Sequence, residues 1–324
     1  MRLKEIIAPI REDIDLFEKE FKRILRSDIF LIDKVVSYLV ARRGKRLRPI
    51  MVLLTSRLNG NPPSAKRLSA AAIMELLHTA TLVHDDVVDD SYRRRGFPSV
   101  NSIWKNKISV LIGDYLFSKA LRSMLNMRDF KVFDIISRTA ERMSQGELLQ
   151  MERSKDFWME EEVYYRLISD KTASLIAASC QLGAVAAGAT DEEIEVLGDF
   201  GEKVGMAFQI RDDLLDLLGL EKNTGKPIGN DIRENKITLP LLYALKQAEK
   251  KEAKQIIQMV KKGASKKEMK YIVDFTIAYG GVDYATQQAE EFTGKALKHL
   301  CRFPESQYKD VLIKLVKFIT QREH

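Results

Sequence analysis

Cysteine is almost missing from this chain of 324 residues: Cys180 and Cys301 stand far apart, in no C-x-x-C pattern. That excludes a disulfide framework and a thiolate zinc site, and it points to a reducing, cytoplasmic setting. Proline is scarce as well, with eight residues, and no series of segments alternates at strand spacing. A long apolar run is also lacking. The longest stretch of low charge, 173–190, is built of Ala, Gly, Ser, Cys and Gln with few large apolar side chains. It falls short of the ~20 predominantly apolar residues that a membrane span needs and reads as a closely packed interior helix. The opening M-R-L-K-E-I-I becomes charged too soon for a secretory signal. With no low-complexity linker and no short repeat, the chain reads as a single domain over residues 1–324.

What is present is helical. Hydrophobic residues make up 45% and charged residues 31% of the chain, ample material for a core. Apolar positions at i, i+3, i+4 and i+7 predict helices over about 10–26, 31–42, 50–58, a span from 64 through the first acidic cluster, 100–125, 129–152, 160–169, 171–188, 191–219, 236–248, 251–262, 266–278, 281–300 and 305–320. The fold class is therefore all-α. Gly198, Gly201 and Gly205 lie inside one of these helices, where glycine lowers propensity, and they predict a close approach of another helix. The net charge of +7 suits an anionic partner, although a lysine-rich solvated surface gives the same total. Nucleic-acid binding would rest on that total alone, and no such partner is expected.

Chemistry concentrates in the stretch 75–96, E-L-L-H-T-A-T-L-V-H-D-D-V-V-D-D-S-Y-R-R-R-G. Asp85 and Asp89 stack on one helix face, as do Asp86 and Asp90. Like charges at that spacing repel unless a cation lies between them, and a hard divalent ion is the simplest one. The pattern D-D-V-V-D returns as D-D-L-L-D at 212–216. Two such motifs facing each other across a helical bundle call for a bridging partner, and a diphosphate bound to Mg²⁺ supplies it. Cations able to grip phosphate oxygens stand in the 44–49 loop, at Arg93–Arg95, and at Lys171, Lys226 and Lys236. The last two flank a polar, Gly-rich segment placed to act as a lid.

G-K-R-L-R-P, H-D-D-V-V-D with its R-R-G, D-K-T, F-Q-I-R-D-D-L-L-D and G-K-P-I-G-N-D-I-R-E-N-K-I-T-L-P occur in this order. In this the chain resembles a trans-isoprenyl diphosphate synthase of the polyprenyl synthetase family, over about residues 10–320, and most of all its long-chain octaprenyl and heptaprenyl members. The resemblance implies a single large helical bundle around a deep central cavity, a homodimer, and Mg²⁺ as cofactor. It implies metal ligands at Asp85, Asp86, Asp89, Asp212 and Asp216; Asp213, one step off that face, is a weaker candidate. Arg94, Lys171, Thr172, Gln209, Lys226 and Lys236 would hold the allylic diphosphate, and Lys45, Arg48, His78 and Arg95 the isopentenyl diphosphate. Asp85, Asp86, Asp89, Arg94, Lys171, Asp212 and Lys226 would carry catalysis. Arg93 is a third arginine where the family typically has two. His84, one step from the Asp85 face, reads as structural or as a support behind the metal-binding aspartates.

The implied reaction is ionisation of the allylic diphosphate, attack by the isopentenyl double bond, and proton loss. Electrostatic stabilisation of the leaving group is the main device. Walking back along the Asp85 face meets Thr81, Leu77 or His78, and Met74; eleven residues of helix cover about 16 Å. Family members with short products carry aromatic residues one turn before the first motif, where this chain has Ala80 and Thr81. The expected product is thus heptaprenyl to nonaprenyl, suited to a quinone side chain, with Met74, Leu77, Ala80 and Thr81 setting its length. Release of such a product implies transient contact with a membrane. The alternatives are a farnesyl or geranylgeranyl diphosphate synthase and a non-catalytic partner subunit. A terpene cyclase would pair one aspartate motif with an Asn/Ser/Glu motif, and a di-iron bundle would need Glu-x-x-His ligands; neither pattern is present.

Overall fold

Helical periodicity persists along the chain, and the structure follows it. It is a computed structural model describing residues 2–42, 44–60, 64–94, 96–153, 156–219, 229–234 and 236–321. Its main helices are Arg11–Leu25, Phe30–Ala41, Leu47–Thr55, Lys66–Val88, Val100–Met127, Phe130–Arg153, Glu161–Ile168, Ser174–Ala186, Asp191–Leu218, Leu239–Gln247, Lys250–Lys261, Lys266–Ala278, Gly281–His299 and Gln307–Thr320. All lie within a few residues of the spans read from spacing. Among the described residues, strand is confined to Arg93–Arg94 and Phe97–Pro98, an antiparallel pair that sets Arg94 opposite Phe97. Two residues a side are too few to register as alternation in the sequence.

The residues gather into two compact units. The first comprises 1–138, 175–201 and 299–315, the second 139–174, 202–298 and 316–324. In the first, the Lys66–Val88 helix packs most extensively on the Val100–Met127 helix. Its buried side includes Ala70, Ala71, Ala72, Met74, Leu77 and Ala80, and the small alanines let neighbouring backbones approach closely. The expected close helix approach is there. A Cβ on Gly201 would lie 2.7 Å from the Ala177 Cα. In the second unit, Ile210, Leu214 and Leu217 share a core with Leu239, Leu242, Ile256 and Ile272, and a Cβ on Gly205 would lie 2.4 Å from the Ala173 Cα.

Polar anchors fix the first unit. Asp13 is 5% exposed, and its carboxylate accepts from Arg57 Nη2 at 2.8 Å and Arg67 Nη2 at 2.7 Å. Burial pushes this carboxyl up, but the two arginines outweigh burial and hold it below its ordinary value. Lys105 stands apart from its helical neighbours at φ 70, ψ 163, a region that is nearly restricted to glycine. It divides the Val100–Met127 helix at a kink. Both cysteines are free, Cys180 buried and Cys301 exposed.

Two stability predictions follow from these anchors. Asp13→Asn leaves two arginines short of their carboxylate and costs about 3–5 kcal/mol, by analogy with broken buried pairs. Because the folded carboxyl is held low, this contribution is complete above the unfolded value of about 3.9 and fades as pH falls through the folded value. The gap between wild type and variant in urea melts therefore stays constant from neutral pH to about 5 and narrows in stronger acid. Lys105→Gly, which relieves the strained backbone, raises Tm by about 2–4 °C.

Candidate active site

The Lys66–Val88 helix ends among aspartates, with Asp89 as its C-cap. The negative end of a helix dipole disfavours carboxylates, so each one there needs a partner. Asp86 has sunk to 3% exposure, and Arg94 Nε donates to its Oδ1 at 2.7 Å. Burial raises the Asp86 carboxyl; Arg94 partly offsets that, and the Asp89 charge adds to the rise. Asp90 takes a left-handed backbone, φ 46, and the chain then turns into the short hairpin that brings Arg94 back onto Asp86. Asp85 is half-buried and Asp89 exposed.

His84 latches this helix end to its neighbour. Its Nε2 is 3.2 Å from the Val110 carbonyl and 3.4 Å from Asp114 Oδ1. The ring fills the space that a side chain at Gly113 would need: a Cβ there would lie 2.1 Å from His84 Nε2. Glycine at 113 is thus a condition for the histidine, and the histidine fixes the turn carrying Asp85 and Asp86.

The basic loop divides into two roles. Arg46, in left-handed backbone at φ 53, turns inward, pairs with Glu18 and Glu75, and lies 4.8 Å from the Phe21 ring centroid. It is an anchor. Arg48 Nη1 meets His78 Nε2 at 3.0 Å; since guanidinium only donates, that nitrogen is placed to accept. Lys45 is exposed. A small cleft opens here, lined by His78, Asp86 and Arg94 together with Tyr38, Arg42 and Phe97. Arg42 was not anticipated: its guanidinium lies 3.7 Å from the Tyr38 ring centroid and 4.9 Å from that of Phe97. Tyr38 also donates to the Pro98 carbonyl at 2.5 Å, so this stack holds the hairpin. Its trace in the sequence was the basic run beginning at Arg42, two residues ahead of G-K-R-L-R-P. Arg95 lies outside the described residues.

In the second unit, Asp212 is exposed and Asp216 half-buried, while Asp216 Oδ2 accepts from the Asp231 amide at 3.0 Å. Asp213 is 5% exposed and accepts from Tyr164 Oη at 2.7 Å and Gln209 Nε2 at 2.8 Å. Burial foremost, with the Asp231 charge, pushes its carboxyl well up. Thr172 Oγ1 donates to Gln209 Oε1 at 2.8 Å, extending the chain of hydrogen bonds. Lys171 and Thr172 sit in a π-helical turn, Ser169–Ala173, a widened turn that often marks functional sites. Lys171 Nζ is held by Glu147 at 2.6 Å and Gln150 at 2.8 Å. Arg142 secures the turn from behind through Asp170 Oδ1 at 2.9 Å and Glu202 Oε1 at 2.8 Å. Lys236 Nζ reaches Glu234 at 2.7 Å; Lys226 lies outside the described residues. Sequence reading missed Arg142, Glu147, Gln150 and Tyr164, which occur in no motif it quoted.

The His84 latch makes a prediction. Gly113→Ala drives a methyl group into the imidazole and costs about 1–3 kcal/mol, as overpacking does. Adding His84→Ala removes the clash, so the double variant melts higher than the sum of the single losses implies, by a coupling of about 0.5–3 kcal/mol. Urea denaturation of the four proteins measures it.

Comparison with known proteins agrees with this geometry. Over 323 residues, covering the whole of both chains, the protein is 35% identical to the octaprenyl diphosphate synthase of Escherichia coli. It is 34% identical to heptaprenyl diphosphate synthase component 2 of Bacillus subtilis, over all of this chain and 92% of that one. A polyprenyl synthase from Caulobacter crescentus, solved with calcium and isoprenyl diphosphate, superposes with a TM-score of 0.92 at 34% identity, over all of this chain and 98% of the other. Residues 30–276 match the Polyprenyl synthetase family. An all-α chain with its aspartate pairs and basic side chains in these positions, and with these relatives, belongs to the polyprenyl synthetase family.

Proposed function

We propose that the chain, as one domain over residues 1–324, condenses isopentenyl diphosphate onto farnesyl or geranylgeranyl diphosphate. Its product is an all-trans heptaprenyl to nonaprenyl diphosphate that serves quinone side chains. One observation carries the reading. In both D-D-x-x-D motifs the second aspartate is buried and satisfied, Asp86 by Arg94 and Asp213 by Tyr164 and Gln209. The first and fifth, Asp85 with Asp89 and Asp212 with Asp216, remain at least partly accessible.

The donor set fits a hard divalent ion such as Mg²⁺: carboxylate oxygens at i and i+4, with no soft ligand beside them. Asp85, Asp89, Asp212 and Asp216 would hold such ions, joined by Asp86 on releasing Arg94. Among the described residues no three acidic, His or Cys side chains already gather for a metal, which leaves diphosphate oxygens to complete the shell. A bound ion would offset the charge building on the departing diphosphate. Arg94, Lys171, Thr172, Gln209, Lys226 and Lys236 grip the allylic diphosphate; Lys45, Arg48, His78 and Arg95 grip that of isopentenyl diphosphate. Heterolysis of the allylic C–O bond sends its electron pair with the diphosphate. The isopentenyl double bond then attacks the allylic carbon, and the released diphosphate takes the proton that is lost.

Met74, Leu77 and Ala80, buried at 0%, 1% and 2% exposure, and half-buried Thr81 set the product's length through the bulk they present on the helix face behind Asp85. The protein acts in the cytoplasm as a homodimer. Exposed Val110, Leu111 and Leu125 on the Val100–Met127 helix, with Phe130 beyond it, offer an apolar face for a second copy. Among the described residues no helix is long and apolar enough to cross a membrane. A second reading, action alongside another polypeptide, is favoured by the name "component 2" carried by the Bacillus relative.

Incubating the purified chain with farnesyl diphosphate, labelled isopentenyl diphosphate and Mg²⁺ yields long-chain product, read by chromatography of the dephosphorylated alcohols. No incorporation until a partner is added selects the second reading, and a product stopping at geranylgeranyl rejects the long-chain one. Asp85→Asn and Asp212→Asn each slow turnover on the order of 10²–10³-fold with an unchanged circular dichroism spectrum. Leu77→Phe or Ala80→Phe shortens the product; unaltered length removes this helix as the ruler.

A further inference from the structure

The chain's net charge of +7 is not spread over it. Between residues 250 and 270 there are eight lysines against two glutamates, so 21 residues carry +6 and the other 303 carry +1. These residues form the Lys250–Lys261 helix and the first turns of the Lys266–Ala278 helix, both within the second unit. The first helix buries Ala253, Ile256, Ile257 and Val260, which turns Lys250, Lys251, Lys254 and Lys261 outward. All eight lysines are exposed, and among the described residues none forms an ion pair within 4.0 Å. The two glutamates are occupied internally: Glu268 closes a capping box with Ser265, and Glu252 accepts from Tyr279 Oη at 2.6 Å. On the same outward side of the second helix, Tyr271 and Ile277 are 45% and 51% exposed, beside a single exposed acid, Asp274.

We propose that this lysine face docks on an anionic lipid bilayer, where the long-chain product is delivered; the delivery role rests on the long-chain reading above. Each lysine near an anionic surface adds to the attraction, so several together outweigh the loss of free movement. Tyrosine suits the headgroup level. Among the described residues Tyr271 is the exposed aromatic side chain on the face, since Phe157, whose ring centroid lies 4.7 Å from Lys261 Nζ, is 9% exposed; that gives little for stacking bases, and the apolar tail of the product requires a lipid acceptor rather than a polar one.

Sedimentation with phosphatidylglycerol-containing vesicles tests the docking directly. The wild-type protein partitions onto them on the order of 100-fold more than onto pure phosphatidylcholine, and 0.5 M salt abolishes the difference, as screening requires. Reversing Lys254, Lys262, Lys266 and Lys270 to Glu reduces partition to the neutral-vesicle level, while farnesyl-primed turnover in detergent is retained. A control variant with Lys22, Lys107, Lys298 and Lys314 reversed to Glu has the same net charge and keeps most of the binding. Equal loss in the two variants assigns binding to total charge and overturns the proposal. So does wild-type protein that ignores anionic vesicles, whether or not it binds a short RNA. Vesicle binding is scored without substrate, so its outcome stands apart from whether the chain makes a long product.

Discussion

A carboxylate cannot be left at the negative end of a helix or in a protein interior without compensation, and each aspartate motif is built around that constraint within its own unit. The second aspartate of each motif has taken the buried position and with it the unit's best donors. Asp86 has Arg94, and Asp213 has Tyr164 and Gln209. Their neighbours one and three residues away are thereby held in place, and all four stay at least partly accessible. Arg94 can reach Asp86 only because Asp90 turns left-handed and the hairpin reverses the chain. Gln209 can orient Asp213 only because Thr172 fixes its amide. Backbone reversal, hairpin and widened turn are consequences of satisfying two buried acids.

Cations show the same division of labour. In the 44–49 loop alternate arginines separate, Arg46 to the interior with Glu18 and Glu75, Arg48 to His78. Around Lys171, Arg142 takes the structural load from behind while Glu147 and Gln150 position the ammonium group. In each case an arginine with fixed forked geometry holds the frame, and a second cation is presented by it.

Most of the helical frame was legible because it is written in a repeating signal. The Asp191–Leu218 helix and its three glycines were read from spacing and propensity, and the close contacts at Gly201 and Gly205 are their reason. The doubled aspartate motif was legible for the same cause: spacing of four on a helix is geometry. Asp213's inward turn followed from being one step off that face. The π turn at Ser169–Ala173 was not legible, because S-D-K-T-A carries no local signal for it. It accompanies packing against residues far away in sequence: a Cβ on Gly146 would lie 2.9 Å from Lys171 Cγ, and one on Gly205 would meet Ala173. Lys105 misled for the opposite reason, being an ordinary helix former in a conformation that suits glycine. Arg42 and Tyr38 lay at the end of a helix whose pattern was already accounted for, and their partner Phe97 is 55 residues on from Arg42.

The π turn also bears on how this sequence can drift. Relative to a regular helix it contains one residue more than the winding needs. Deleting a single residue there would restore ideal winding and a sounder backbone ladder. It would also swing every side chain on one flank of the deletion through about 100° relative to the other, the angular step of one helical residue. Lys171 would then leave Glu147 and Gln150, or Thr172 would leave Gln209. The locally better helix is the one that loses the site, so tolerance of single-residue deletions should fall sharply across 169–173 and recover in the regular turns on either side.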